Sequence, residues 1–134
     1  MTITMTFDCV PMEATQPKEG AQGGLCLGTN GCFQVLVNDG WTDIEADGVT
    51  PQVGVEYTFR FTFDYRYGTY SAEVQNGGGE WVRFVERGNP VRKSFPLASP
   101  ASRISRVRFD GSGEFRSLLG EWAQKVHAFM MHIF

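Results

Sequence analysis

Apolar and polar residues alternate through much of this chain with the two-residue period of a β-strand. Ile3, Met5 and Phe7 alternate with Thr2, Thr4 and Thr6, the pattern of an edge or outer strand within residues 2–12. In the strongest run, Tyr57, Phe59, Phe61 and Phe63 share one face and Thr58, Arg60, Thr62 and Asp64 the other. Tyr70, Ala72 and Val74 repeat the pattern after the turn Tyr65-Arg66-Tyr67-Gly68, so the two strands are expected to form a ribbon. Burial of each aromatic contributes about 1.5–3 kcal/mol, and this strand is expected to dominate stability.

Turn residues punctuate the rest. Gly28-Thr29-Asn30-Gly31 separates Leu25-Cys26-Leu27 from Phe33-Gln34-Val35-Leu36-Val37, the signature of a hairpin. Asn38-Asp39-Gly40 leads into a strand over 41–45, and Asp47-Gly48 ends it. Asn76-Gly77-Gly78-Gly79 precedes a strand with Trp81 and Arg83 opposite Val82 and Phe84, which Gly88-Asn89-Pro90 breaks. Residues 92–97 fit a short strand that Pro96 confines to an edge or its end. Ile104, Val107 and Phe109 anchor another, and 115–119 closes the sheet. The fold class expected is all-β, an antiparallel β-sandwich over residues 1–120. The tail 121–134 differs. Trp122, Val126, Phe129, Met130 and Ile133 follow a helical period, with Ala123, His127, Met131 and Phe134 as a second apolar line. It fits a short C-terminal helix with little polar surface, which needs a cover from the sandwich or another chain.

At 134 residues the chain has the size of one domain, and 42% hydrophobic with 20% charged residues excludes a disordered polymer. The net charge of -3 is unevenly spread: residues 1–56 hold eight acids and the single base Lys18, while 83–108 hold seven bases and the single acid Glu86. A basic stretch of that kind suits sulfated or uronic glycans; its ordinary reading is a basic strand set beside an acidic one, and nucleic acid is not expected. Three cysteines, Cys9, Cys26 and Cys32, are too few for a disulfide framework, and a reduced pair at 26 and 32 is the simpler expectation. The start of the chain lacks the basic flank of an export signal, and no apolar run is long enough to cross a bilayer. Secretion or cell-surface display is expected if the chain is one module of a larger protein.

The segment from Tyr57 through Thr58-Phe59-Arg60-Phe61-Thr62-Phe63-Asp64 and Gly68-Thr69-Tyr70-Ser71 resembles the paired central strands of concanavalin A-like and laminin-G-like jelly-roll domains. Val107-Arg108-Phe109-Asp110-Gly111-Ser112-Gly113-Glu114-Phe115 is similar to their closing strands. The resemblance spans about residues 1–120 and implies a jelly-roll sandwich. It also implies three kinds of site. Asp43, Glu45 and Asp47 alternate on one strand face and look like the carboxylate strand of jelly-roll glucanases, with Glu and Asp exchanged; they are the catalytic candidates for a small glycoside hydrolase acting on a β-glucan. Ca²⁺ is the cofactor implied, with Asp39, Asp110 and Glu114 as hard oxygen donors in or beside turns; the alternative is no cofactor. A carbohydrate ligand is expected to meet Trp41, Tyr65, Tyr67, Trp81 and Arg83, where flat rings stand near polar side chains. The reading preferred is a non-catalytic recognition module for a glycan or polysaccharide. The hydrolase is one alternative, and the other is an assembly domain whose tail, 122–134, docks on a second copy or a neighbouring module.

Overall fold

The computed structural model describes residues 2–9, 20–38, 40–104, 107–110, 116–117 and 130–134; of Phe7, Cys9, Val107–Asp110, Arg116–Ser117 and 130–132 it describes the backbone alone. The strands are β1 (Thr2–Cys9), β2 (Gly23–Leu27), β3 (Phe33–Val37), β4 (Gly40–Glu45), β5 (Tyr57–Asp64), β6 (Thr69–Gln75), β7 (Trp81–Arg83), β8 (Val85–Glu86), β9 (Phe95–Pro96), β10 (Val107–Asp110), β11 (Arg116–Ser117) and β12 (Met130–Ile133). They form two antiparallel sheets packed as a β-sandwich. The first runs β11-β1-β5-β6-β7, with β9 also paired to β6, and the second runs β10-β12-β2-β3-β4-β8. Among the described residues no helix is long and apolar enough to cross a membrane.

The expected aromatic face of β5 forms the core. Phe59, Phe61 and Phe63 are fully buried, while Thr58, Arg60, Thr62 and Asp64 remain part-exposed on the other face. Their partners on β6 are Val74, Ala72 and Tyr70, so the smallest side chain stands opposite Phe61 and leaves room for its ring. From the second sheet Leu25, Leu27, Phe33, Val35 and Ile44 close onto this layer. Phe33 meets Tyr57, Phe59 and Phe84 edge-on at 5.3, 5.6 and 5.6 Å, the geometry that ring quadrupoles favour.

Tyr70 ties the two sheets together. Its ring stacks on Phe63 at 5.2 Å, and its buried hydroxyl reaches across the core to donate to the Leu36 carbonyl on β3, so the polar atom is satisfied inside the core. Gly23 leaves room beneath it, since a Cβ there would come within 3.1 Å of the Tyr70 ring and the ring would have to shift.

One open side of the sandwich is closed by an excursion between two short strands. β7 pairs with residues 73–75 of β6 and β9 with residues 69–70, so both extend along the same edge. Between them the chain crosses layers. The Phe84 amide bonds the Ala72 carbonyl at 2.9 Å, its ring is fully buried, and β8 then adds to β4 of the other sheet. The return loop is held by Arg92 bonded to Glu86 at 3.1 Å and by the Arg92 amide on the Asn89 carbonyl.

The helical expectation for the tail fails at its end. Met130–Ile133 is a strand between β10 and β2, with Met131 opposite Leu25 and Ile133 opposite Gly23. Ile133 is fully buried in the chain's own core. Neighbours on both sides supply backbone partners there, and such long-range pairing outweighs a local helical period; residues 121–129 lie outside the described residues. The strand expected at 115–119 is seen as β11, paired to β1 through Phe7–Ser117 and Asp8–Arg116.

Phe61→Ala is expected to cost about 3–5 kcal/mol of unfolding free energy, read from urea denaturation. A second expectation concerns pH. Burial pushes the Tyr70 hydroxyl and the Cys26 thiol up from their ordinary ranges, with the charge of Asp43 adding to the effect on Cys26. Both groups are neutral in the fold, so their contribution is intact below their unfolded pKa values, about 10 for the tyrosine and about 8.5 for the cysteine. It is lost as pH rises, at up to roughly 1.4 kcal/mol per pH unit for each group. The urea midpoint is expected to fall steadily above about pH 9, and the part due to tyrosine is expected to vanish in Tyr70→Phe.

Candidate functional site

The aromatics singled out in the sequence are dispersed. Tyr65 and Tyr67 lie in the β5–β6 turn, whereas Trp81 lies at the opposite end of the ribbon, across from Gln75. Trp41 belongs to the other sheet, across from Leu36. Tyr65 stacks on Phe63 at 6.1 Å and donates its hydroxyl to the buried Gln22 at 2.9 Å, so it serves packing. Tyr67 is 68% exposed, with the Arg66 guanidinium 4.6 Å from its ring. Trp81 is half-buried beneath Arg60, whose guanidinium sits 4.1 Å from the ring centroid and bonds Glu73 through two nitrogens at 3.0 and 2.9 Å. Arg83 is exposed, and its guanidinium donates to the Lys93 carbonyl and the Ser94 hydroxyl at 3.2 Å. It thereby staples β7 to the chain entering β9.

The three alternating carboxylates have separate fates. Asp43 accepts from Asn30 through both oxygens, at 3.1 and 3.0 Å, and from Gln34 at 2.7 Å. Glu45 and Asp47 are exposed. Asp39 and Glu114 lie outside the described residues, and Asp110 is described by its backbone in β10 alone. Among the described residues no group of three or more metal-ligating side chains gathers. Cys26 is buried and Cys32 half-buried, both as free thiols.

Glu45 and Asp47 meet other polar residues in a cleft of about 510 Å³ at the end of the sandwich that carries the β2–β3 turn. Asn30 and Cys32 line it from that turn, Val49, Thr50 and Pro51 from the β4–β5 loop, and Arg87 from the end of β8; Val49 and Pro51 are its part-exposed apolar residues, with the buried Phe33 and Ile44 behind them. Its walls are held in place by side chains. The Asn30 carbonyl oxygen accepts from the Cys32 amide at 3.1 Å while its amide group holds Asp43. Gly28 makes room for this clamp, since a Cβ there would lie 2.7 Å from Gln34 and 2.8 Å from Asn30. On the other wall the Tyr57 hydroxyl donates to the Thr50 carbonyl at 2.8 Å and accepts from the Gln52 amide at 3.0 Å. Arg87 continues the β4–β8 ladder through its amide on the Asp43 carbonyl at 3.0 Å, and its guanidinium lies 2.8 Å from the Cys32 sulfur.

Glu45 and Asp47 also border a second hollow of about 340 Å³, whose other side carries Arg83, Lys93 and Pro90. A shallower trough of about 250 Å³, with Thr62, Ser71, Glu73 and Arg83 on its lining, lies on the outer face of the first sheet. From the sequence Glu45, Asp47 and Arg83 were singled out, Arg87 and Lys93 were reached only as members of the basic stretch 83–108, and Asn30 and Thr50 were missed. Asn30 was legible as a turn residue and Arg87 as part of the basic stretch; neither signal says that the two share a cleft. Comparison with known proteins returns no matching family model, no similar curated protein and no similar solved structure.

Asn30→Ala is expected to cost about 1–2 kcal/mol, because it removes bonds to a carboxylate and a turn amide together. Tyr57→Phe is expected to loosen the loop with a smaller global cost, seen as faster amide exchange at Gln52 than at the β5 core amides.

Proposed function

We propose that this chain is a non-catalytic recognition module for a glycan, bound in the cleft between the β2–β3 turn, the β4–β5 loop and Arg87. The observation that carries this reading is the combination of part-exposed apolar residues with exposed charged ones in one preformed hollow. A sugar ring has an apolar C–H face and a rim of hydroxyls. Val49 and Pro51, part-exposed in the cleft lining, suit the first, while Glu45, Asp47 and Arg87 suit the second as acceptors and donor. Because the Asn30 and Tyr57 clamps already hold the walls, binding costs little ordering entropy. The hydrolase alternative is less favoured, because Asp43 accepts from Asn30 through both oxygens, which supports a structural role for it in the β2–β3 turn.

The test is a glycan array run with and without Ca²⁺ on wild type, on the double variant Glu45→Gln, Arg87→Gln, and on Trp41→Ala, Trp81→Ala, each checked for folding by circular dichroism. Selective binding lost in the first variant and retained in the second is expected. Loss confined to the tryptophan variant would move the ligand to the outer sheet faces. Silence across the array would remove the lectin reading, and β-glucan turnover abolished by Glu45→Gln would replace it with catalysis.

A further inference from the structure

The cleft and the second hollow share a ridge, Glu45 and Asp47, which line both. The cations stand on either side of this shared ridge, with Arg87 in the cleft and Arg83 and Lys93 in the second hollow. All five side chains are exposed. The described ion pairs are Arg60–Glu73 and Arg92–Glu86, so none of the five belongs to one among the described residues. The Arg83 guanidinium bonds a carbonyl and a hydroxyl, and that of Arg87 contacts a thiol. Among the described residues neither guanidinium is paired with a carboxylate. Together the two hollows present one cation in the cleft, two in the second hollow and two carboxylates common to both.

We infer that the ligand is a chain of carboxylated sugars of the uronic acid type, laid across the ridge so that successive carboxylates meet Arg87 and then Lys93 with Arg83; this rests on the glycan reading above. A guanidinium binds a carboxylate through two parallel N–H donors. Glu45 and Asp47, which when ionised only accept, take hydroxyl protons from the rings between. A neutral chain would leave the flanking cations unused. A densely sulfated chain would set its charges against the two ridge carboxylates, a repulsion that a chain with one carboxylate per ring avoids. Occupying both hollows requires more than one ring.

The experiment is calorimetric titration of the whole chain with galacturonate, glucuronate and mannuronate trimers, their methyl esters, the matching monomers, neutral trimers and a sulfated trimer, at low and raised salt. At least one uronate trimer is expected to bind roughly tenfold or more tighter than its ester or monomer, with affinity falling as salt rises. Arg87→Gln and Lys93→Gln are each expected to remove most of the advantage of acid over ester. Lys93 suits this test because Arg83 is held by its backbone carbonyl, so the staple survives the substitution. Equal binding of acid and ester, or tighter binding of the sulfated trimer, overturns the uronate assignment and leaves the glycan reading standing. A monomer as tight as its trimer overturns the two-hollow arrangement. Absence of binding to every sugar here and on the array removes both.

Discussion

A strand with four aromatic rings along one face can be stable only with that face out of water, and the remainder of this sandwich is arranged around that requirement. Phe59, Phe61 and Phe63 need a facing layer, which β2, β3 and β4 supply with short aliphatics and Phe33. They need a neighbour on β6 that alternates with them, and Val74, Ala72 and Tyr70 provide it in register. The hydroxyl of Tyr70, which this places in the core, reaches the backbone of the opposite sheet. The unavoidable polar atom thus becomes a cross-tie, since a buried hydroxyl without a partner carries the full cost of desolvation.

The same core accounts for the groove. Phe84 follows the last residue of β7 and enters the aromatic layer beside Phe33 and Phe59, with centroids 5.6 and 6.3 Å away. Once it is buried, the chain has crossed to the other sheet and continues as β8 on β4. That pairing carries Arg87 level with Asp43 and brings the chain past Glu45. The return loop then places Lys93 and Ser94 beside Arg83. Core and site are therefore not independent: the ring that closes the sandwich also sets basic residues beside the carboxylates of β4. The loops around it are anchored by Asn30 and Tyr57, in keeping with binding sites carried by loops on a rigid scaffold.

Much of the architecture was legible from local pattern. The alternation in β5 and β6, the hairpin at 28–31, the strand at 41–45 and the edge position of Pro96 all follow from residue periodicity and turn chemistry, which act within a few residues. The C-terminal strand was not legible. Met130 and Ile133 fit a helical line with Trp122 and Val126, and what makes them a strand is pairing with β2, more than a hundred residues earlier in the chain. Tyr65 and Trp81 read equally well as ligand-binding or packing residues. The structure gives Tyr65 a ring and a hydroxyl partner, and gives Trp81 a guanidinium over its ring.

The sequence by itself determined that this chain is an all-β sandwich, which face of each central strand is buried, and that its charge is divided between an acidic first part and a basic second part. Those properties are carried by side-chain alternation and composition, which are local. Only the tertiary structure decided that Asp43 serves the β2–β3 turn while Glu45 and Asp47 open to solvent, and that Arg83, Arg87 and Lys93 border the hollows these two carboxylates share. Those relations depend on strand register and on the crossing at Phe84. Both are set by packing between segments distant in the chain, which no window of sequence contains.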